Sequence, residues 1–145
     1  MTSLPFAHSD LFRLDVGMYE LGSFTSCNGL SCSMVTETRS EGGLNTRVHQ
    51  LPSHLEYGNV TLSRPLTQLT PALWLWIRAQ ALRRVPMMAQ LAALGPDRRP
   101  LVCWTLTGVV PVRWSGPSFD TASSGAALET LEIAHDGFVE VVVPR

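Results

Sequence analysis

Apolar and polar positions alternate along much of the chain, and this pattern predicts a sheet-based fold. Every second residue is apolar from Phe12 to Val16 and again from Val60 to Ser63. Side chains with a period of two lie on one face of a β-strand. The segments Leu101 to Val110 and Phe138 to Val143 are rich in β-branched residues, which also favours strands. The chain is therefore predicted to be mainly β.

Glycine and proline residues divide these strands. Gly17 and Gly22 bracket a turn, and residues 24–38 follow as a second, longer strand region. The segment Ser40–Gly43 is predicted to form a hairpin tip, because paired glycines permit positive φ. Beyond it, the pair Leu51-Pro52 is predicted to end strand pairing, since proline cannot donate to a ladder.

One helix is predicted, and its apolar surface is unusually wide. Thr70-Pro71 has the pattern of an N-cap followed by proline at the first helical position, and the helix should continue to about Arg84. Apolar residues occupy most of its circumference: Leu73, Trp74, Leu75, Trp76, Ile77, Ala79, Ala81 and Leu82. Such a helix needs cover on more than one side.

Two segments are ambiguous by local pattern. Residues 85–94 continue the helical pattern without a strong break, which extends the helix through Met87, Met88 and Leu91. If they form a strand instead, they pair with Leu101 to Val110 across the turn at residues 95–97. Residues 128–134 fit either a strand or a helix.

Composition favours a self-associating subunit. Charged residues make up 16% of the chain, against about 25% in an average soluble domain, while 45% are apolar. A subunit that buries much of its surface against copies of itself has this balance, although a well-packed monomer with a neutral polar surface has it too. The net charge is −1 and every one of the eleven cationic residues is arginine, so no basic field favours nucleic acid.

Length and targeting patterns indicate one cytoplasmic domain. The 145 residues suffice for a single core, and we expect one domain over residues 1–145 with a flexible N-terminal segment over residues 1–10. The start of the chain lacks the positively charged segment and the apolar segment of a signal peptide, and no run of about eighteen apolar residues occurs. We therefore expect the protein to be made and kept in the cytoplasm, with no membrane insertion.

Candidate chemical groups lack the spacing that chemistry requires. Cys27, Cys32 and Cys103 match neither a zinc site nor a redox pair, and they are expected to be reduced, partly buried thiols. The four histidines show no ligand spacing. Glu129 and Glu132 would lie on opposite faces of a strand and are expected to be solvated or interface charges. We expect no catalytic, cofactor or metal site.

Four motifs in order resemble the contractile phage tail tube proteins and the related tubes of phage-derived injection systems. The central motif consists of the run from Arg39 to Gly43, then Leu51-Pro52, then residues 56–62. Residues 111–117 and 128–137 are similar to the C-terminal half of that family. Order and spacing agree over roughly residues 11–142. One departure is Ser63-Arg64-Pro65, where family members often carry a lysine-arginine-glycine run, so contacts at that strand exit are expected to differ.

The resemblance implies a fold and an assembly. The fold would be an antiparallel β-barrel or sandwich with one flanking helix, and both ambiguous segments would be strands. Six copies would close into a ring, and rings would stack into a hollow inner tube, or start one, with contractile sheath and baseplate proteins as partners and possible cargo in the channel. The expected assembly interface comprises Arg39, Ser40, Glu41, Gly42, Gly43, Leu44, Trp74, Trp76, Ile77, Phe138, Val139 and Val141.

Two parts of that interface are predicted for separate physical reasons. The excursion around Gly42-Gly43 is expected to project onto an adjacent subunit or ring. The last strand has an open edge that can pair with another chain. The alternative is a monomeric small-barrel binding module for an apolar ligand, which the low charge and the many strands also allow.

Overall fold

The computed structural model describes residues 9–40, 48–117 and 127–144. These residues form ten strands and one helix: β1 Leu11–Val16, β2 Tyr19–Phe24, β3 Ser26–Asn28, β4 Cys32–Ser40, β5 Val48–Tyr57, β6 Val60–Pro65, α1 Thr70–Leu82, β7 Met87–Leu94, β8 Pro100–Ser115, β9 Leu128–Ala134 and β10 Gly137–Val142. The strand pairs are antiparallel.

The long strand β8 organises the sheet. Its first half pairs with β7 on one edge and with β10 on the other, and its second half pairs with β9. Strands β1 and β2 continue the sheet beyond β7, and β6 and β3 continue it beyond β9. Between the halves, Gly108 has φ +62°, and a side chain there would collide with the carboxylate of Asp136. Glycine therefore lets β8 turn from one layer into the other.

The sheet curls so that its two ends meet. The outermost strands, β2 and β3, follow one another along the chain, separated by Thr25. The N–H of Thr25 donates to the carbonyl of Ser63 at 2.9 Å, which joins this corner to β6. The result is an antiparallel barrel-like sandwich with one flanking helix, which confirms the expected mainly β fold class.

Alternation along the strands places one set of side chains inside. The core consists of aliphatic and aromatic residues that are fully or almost fully buried: Leu14, Val16, Leu21, Phe24, Val60, Leu62, Leu73, Trp76, Ala89, Leu91, Leu106, Val109, Leu131 and Ile133. The alternating segments around Leu14 and Leu62 face this core as the sequence predicts.

The helix differs from the prediction at both ends. Its N-cap is Leu69, so Thr70 is not the cap but the first helical residue, and Pro71 lies in the first turn. The predicted extension through Leu91 is wrong: the helix ends at Leu82, and Arg83 is extended. Proline at position 86 restricts the residue before it to extended conformations, which the sequence prediction overlooked.

A side chain fixes this helix exit. The amide nitrogen of Gln80 donates to the carbonyl of Val85 at 2.8 Å, and its amide oxygen accepts from the N–H of Val85 at 3.2 Å. Residues 87–94 then form β7 and residues 128–134 form β9. The strand assignments that the resemblance implied for both ambiguous segments are therefore confirmed.

Three smaller predictions need correction. The strand β5 continues through Pro52, because a bulge beside Thr36 accommodates a residue without a donor. Gly22 lies inside β2 with φ +86° and does not close a turn. The region 24–38 is not one strand but the end of β2, all of β3 and most of β4. In addition, β8 continues beyond the predicted strand Leu101 to Val110 and ends at Ser115.

Candidate assembly interface

The helix presents apolar side chains to solvent as well as to the core. Leu73 and Trp76 are buried beneath it, whereas Trp74 is 54% exposed and Leu75 57% exposed. Trp76 has no exposed surface, so its predicted place in the assembly interface is wrong: it is a core residue of its own subunit. Trp74 remains accessible, and Ile77 is half-buried. Neighbouring tryptophans in the sequence thus lie on opposite sides of α1.

The last strand leaves one edge open. Within the described residues, β10 pairs with β8 alone. Phe138 packs against the core, whereas Val139 is 61% and Val141 54% exposed. An open edge with uncovered valines can pair with a strand of another chain. The predicted interface residues Val139 and Val141 are therefore accessible, and Phe138 is only partly so.

Strands β4 and β5 form a separate two-stranded sheet. Met34 and Leu55 are opposite one another in this hairpin, and both are about half exposed, at 51% and 43%. The backbones of Arg39 and Ser40 pair with His49 and Val48. The predicted interface residues Glu41, Gly42, Gly43 and Leu44 lie outside the described residues. The paired part of the hairpin is nonetheless an exposed sheet with apolar side chains.

An aromatic cluster anchors the base of this hairpin to the barrel. The ring centroid of Tyr57 lies 5.0 Å from that of Phe138 and 5.6 Å from that of His135. A ring nitrogen of His135 is hydrogen bonded to the carbonyl of Gly58 at 3.0 Å. Burial lowers the pKa of His135 despite this backbone contact, which favours the neutral ring. This histidine is therefore hydrogen bonded in a packed setting.

A buried ion pair closes the barrel beneath the helix. Arg64 and Glu129 are cross-strand partners in β6 and β9, with side chains 1% and 0% exposed. Arg64 Nε donates to Glu129 Oε2 at 2.8 Å. The same oxygen accepts from the hydroxyl of Thr70 at 2.6 Å, and Glu129 Oε1 accepts from the indole N–H of Trp114 at 3.0 Å.

The guanidinium continues this network to the far edge of the sheet. Arg64 Nη1 donates to the carbonyl of Leu21 and, at 3.4 Å, to that of Ser23. Its carbon lies 4.2 Å from the ring centroid of Phe24, in a cation–π arrangement. The pair thus connects β2, β6, β8, β9 and α1, and it supplies donors to the carbonyls of the edge strand β2.

The electrostatics of Glu129 follow from its partners. Burial raises the pKa of this carboxyl, but the hydrogen bonds from Thr70, Arg64 and Trp114 outweigh it and leave the pKa below its ordinary range. The carboxylate is therefore ionised and fully paired. The prediction that Glu129 is a solvated or interface charge is wrong. Glu132 does lie on the other face, where its carboxylate accepts from the side chain of Asn59 at 2.9 Å.

The sequence held a signal for this pair. Arg64 has the same parity as Val60 and Leu62, and Glu129 has the same parity as Leu131 and Ile133. Both charges therefore occupy inward positions of apolar-facing strands, and opposite charges at inward positions are expected to pair.

A groove lies between α1 and the second half of β8. It has a volume of about 270 Å³ and is lined by Ile77, Gln80, Ala81, Arg84, Val110, Pro111, Val112, Arg113 and Trp114. Aliphatic side chains form most of its wall, and its lining also includes two exposed arginines. It is open to solvent, so it resembles a docking groove more than an enclosed ligand cavity.

Chemical groups in the described part of the chain are dispersed. No cluster of three or more histidine, cysteine or acidic side chains suited to a metal ion occurs in residues 9–40, 48–117 and 127–144. Cys27, Cys32 and Cys103 are unpaired thiols, and burial raises the pKa of Cys27 to about 11. Across the same residues, no helix has the length and hydrophobicity needed to span a membrane.

Comparison with known proteins gives a consistent result. Residues 9–139 match the family model of the T4-like virus tail tube protein gp19. No curated protein sequence matches the chain significantly.

Among solved structures, a chain of the anti-feeding prophage tube-terminating cap superposes with a TM-score of 0.78 at 22% identity, over 99% of this chain and 95% of that one. A chain of the sheath–tube complex of the extracellular contractile injection system PVC superposes with a TM-score of 0.76 at 21% identity, over 98% of this chain and 93% of that one. A chain of the anti-feeding prophage baseplate superposes with a TM-score of 0.73 at 23% identity, over 99% of this chain and 98% of that one.

Proposed function

The chain belongs to the T4-like virus tail tube protein gp19 family, and on that premise we propose that it is a structural subunit of the inner tube, or of the ring that starts it, in a contractile phage tail-like injection system. Six copies close into a ring, and rings stack around a central channel. The chain acts as one tail-tube domain. It needs no cofactor or metal, and its role is not catalytic, because a subunit repeated along a conduit acts through its closed geometry.

One observation supports this assembly most strongly: a folded subunit keeps apolar surface uncovered on three separate elements. Trp74 and Leu75 are exposed on α1, Met34 and Leu55 on the hairpin, and Val139 and Val141 on β10. Contiguous apolar patches on soluble proteins mark interaction sites. The low charge content of the chain agrees with the burial of much of its surface in a complex.

The partners follow from the family and from the structural relatives. The relatives include chains of a sheath–tube complex and of a baseplate. We infer that this subunit likewise meets a contractile sheath on the outside of the tube and baseplate proteins at one end, that it assembles in the bacterial cytoplasm, and that the channel can hold cargo. The net charge of −1 gives no basis for specific nucleic-acid binding.

The alternative, a monomeric binding module, has weaker support. Ligand sites for small apolar molecules usually enclose about 300–1,000 Å³. The groove beside α1 measures about 270 Å³ and is open to solvent. The core side chains Leu62, Leu106 and Leu131 are fully buried against one another inside the barrel.

The experiment that tests the proposal is a mass measurement combined with electron microscopy. Light scattering across a concentration series should give a hexamer or its multiples, and negative-stain images should show rings or hollow tubes. Trp74→Gln should reduce assembly without unfolding the subunit, because the side chain is exposed in one copy. A protein that stays monomeric at every concentration would refute the ring.

A further inference from the structure

One edge of β8 is free along the groove. The strand β7 pairs with β8 only as far as Val109, opposite Met87. Beyond Val109, β9 occupies one edge of β8, and no strand in the described part of the chain pairs with the other. The helix stands opposite this free edge and contributes Ile77, Ala81 and Arg84 to the groove. An extended segment placed there would pair with β8 and pack against α1.

The strand β10 has the free edge and the exposed apolar side chains that a segment bound in this groove needs. From residue 139 to residue 143 every side chain is exposed, with Val143 at 72%. Within the described residues, its edge away from β8 is unpaired. Glu140 is the one acidic residue between Phe138 and the end of the sequence. The segment is thus an apolar strand with a single carboxylate, and the groove is a largely apolar channel whose lining includes Arg84 and Arg113.

We propose that residues 139–143 of one copy occupy the groove between α1 and β8 of the next copy, where they pair with the free edge of residues 110–115 and place Glu140 beside Arg84 and Arg113. This inference rests on the proposed ring and names the two surfaces that meet in it. The donor strand and the acceptor groove are both formed by described residues of the same chain.

The occupant is a second copy because β10 cannot reach the groove of its own copy. The successive strands β9 and β10 pair along one edge of β8, whereas the groove opens on the opposite edge, the one that β7 occupies nearer the start of β8. Donor and acceptor are therefore different surfaces on opposite edges of the same strand. A contact of that kind is heterologous, and it closes into a ring when the rotation between copies permits.

Crosslinking tests the contact directly. In a background where Cys27, Cys32 and Cys103 are replaced by alanine, Val112→Cys and Val141→Cys are introduced together and treated with a short bifunctional maleimide. We expect a covalent ladder that reaches the hexamer, whereas each single cysteine variant stays monomeric on denaturing gels. Met18→Cys combined with Val141→Cys is the matched control, because Met18 is 86% exposed in the β1–β2 turn, outside the groove.

Charge reversal tests the complementarity. Arg84→Glu and Glu140→Arg should each raise the concentration needed for half-assembly by about tenfold, because each places like charges together at the contact. The combined variant should recover assembly, since the pair is restored with opposite polarity. The melting temperature of the isolated subunit should stay unchanged in all three variants, which separates an effect on the contact from an effect on folding.

The outcomes are distinguishable. Rings that form normally while the Val112/Val141 pair fails to crosslink, or while neither charge reversal weakens assembly, would overturn this inference and leave the proposed function intact. A stronger ladder from the Met18 control pair than from the groove pair would also overturn it. A wild-type protein that never assembles would overturn both.

Discussion

The barrel and the β4–β5 hairpin are built from the same kind of alternating strand, but they differ in what covers them. In the barrel, Leu62 and Leu131 are fully buried between the layers. In the hairpin, Met34 and Leu55 occupy equivalent cross-strand positions and remain about half exposed. The hairpin is a two-stranded sheet on its own, and an isolated pair of strands is only marginally stable in water.

This difference shows where the subunit is complete and where it is not. The barrel satisfies even its buried carboxylate, since Glu129 accepts hydrogen bonds from three side chains. Among the described residues, the hairpin packs against the barrel at its base through Tyr57, and most of its contacts are between its own two strands. A strand pattern alone therefore states which face is apolar, but not which molecule covers it.

The largest expected effect comes from breaking the buried ion pair. Glu129→Ala leaves the guanidinium of Arg64 buried without its counter-charge, and we expect it to lower the free energy of unfolding by about 3–5 kcal/mol. Guanidinium unfolding followed by tryptophan fluorescence measures this, at one fixed protein concentration. The control is Glu132→Ala, on the opposite face of β9, which should change stability by less than about 0.5 kcal/mol. Equal effects of the two substitutions would contradict the role assigned to the pair.

The next prediction compares two leucines in matched strands. Leu62→Ala in the barrel should cost about 2–5 kcal/mol, because it leaves a cavity in a packed core. Leu55→Ala in the hairpin should cost less than about 1 kcal/mol in the isolated subunit, since the side chain is already 43% exposed. The same denaturation assay applies. A large stability loss for Leu55→Ala in a monomer would show that the hairpin is already covered within one subunit.

Acid should weaken the barrel through Glu129. Its pKa is lower in the folded chain than in the unfolded one, so the unfolded chain binds more protons, and the stabilisation is lost as the pH falls from the ordinary glutamate range through the folded pKa. Urea midpoints measured down this pH range should therefore fall. Glu129→Gln should flatten that dependence, although the variant is less stable at neutral pH. An unchanged slope in the variant would exclude Glu129 as the titrating group.

The smallest effect concerns thiol reactivity in the two regions. Cys27 in β3 packs against the core with its pKa raised to about 11, whereas Cys32 in β4 is exposed. Because the thiolate is the reacting form, iodoacetamide should label Cys32 well before Cys27 at mildly alkaline pH, as mass spectrometry of single-cysteine variants can show. If Cys27 and Cys32 are labelled at similar rates in the native protein, and these rates equal those in the unfolded chain, then β3 does not hold Cys27 in the barrel.

Much of the fold could be predicted because alternation is a local property. The strands around Leu14, Leu62 and Leu106 and the helix from Thr70 follow from their own residues. The helix end could not be placed by periodicity, because Pro86 and the clamp from Gln80 to Val85 act through the backbone and not through the apolar pattern. Residues 128–134 fitted two periods, and their pairing with β6 decides between them.

The interface was harder to predict, since it depends on which side of an element meets the core. Trp74 and Trp76 are two positions apart in the helix and belong to one continuous apolar run, yet Trp74 is exposed and Trp76 is buried. Glu129 looked like a surface charge because glutamate is almost never fully buried unless paired. Its partner Arg64 is 65 residues away in the chain. Only the parity of the two residues within their strands indicated that both side chains face the core.

The path of β8 also fixes a sequence of events during synthesis. The second half of β8 and one edge of β6 pair with β9, which begins at Leu128. These pairings, and the ion pair between Arg64 and Glu129, can form only once β9 has been synthesised. A nascent chain that has not yet emerged beyond this point therefore cannot close its barrel. The strand β10, with its open edge, emerges later still. The open edge of β10 thus becomes available only after the residues that close the barrel have been synthesised.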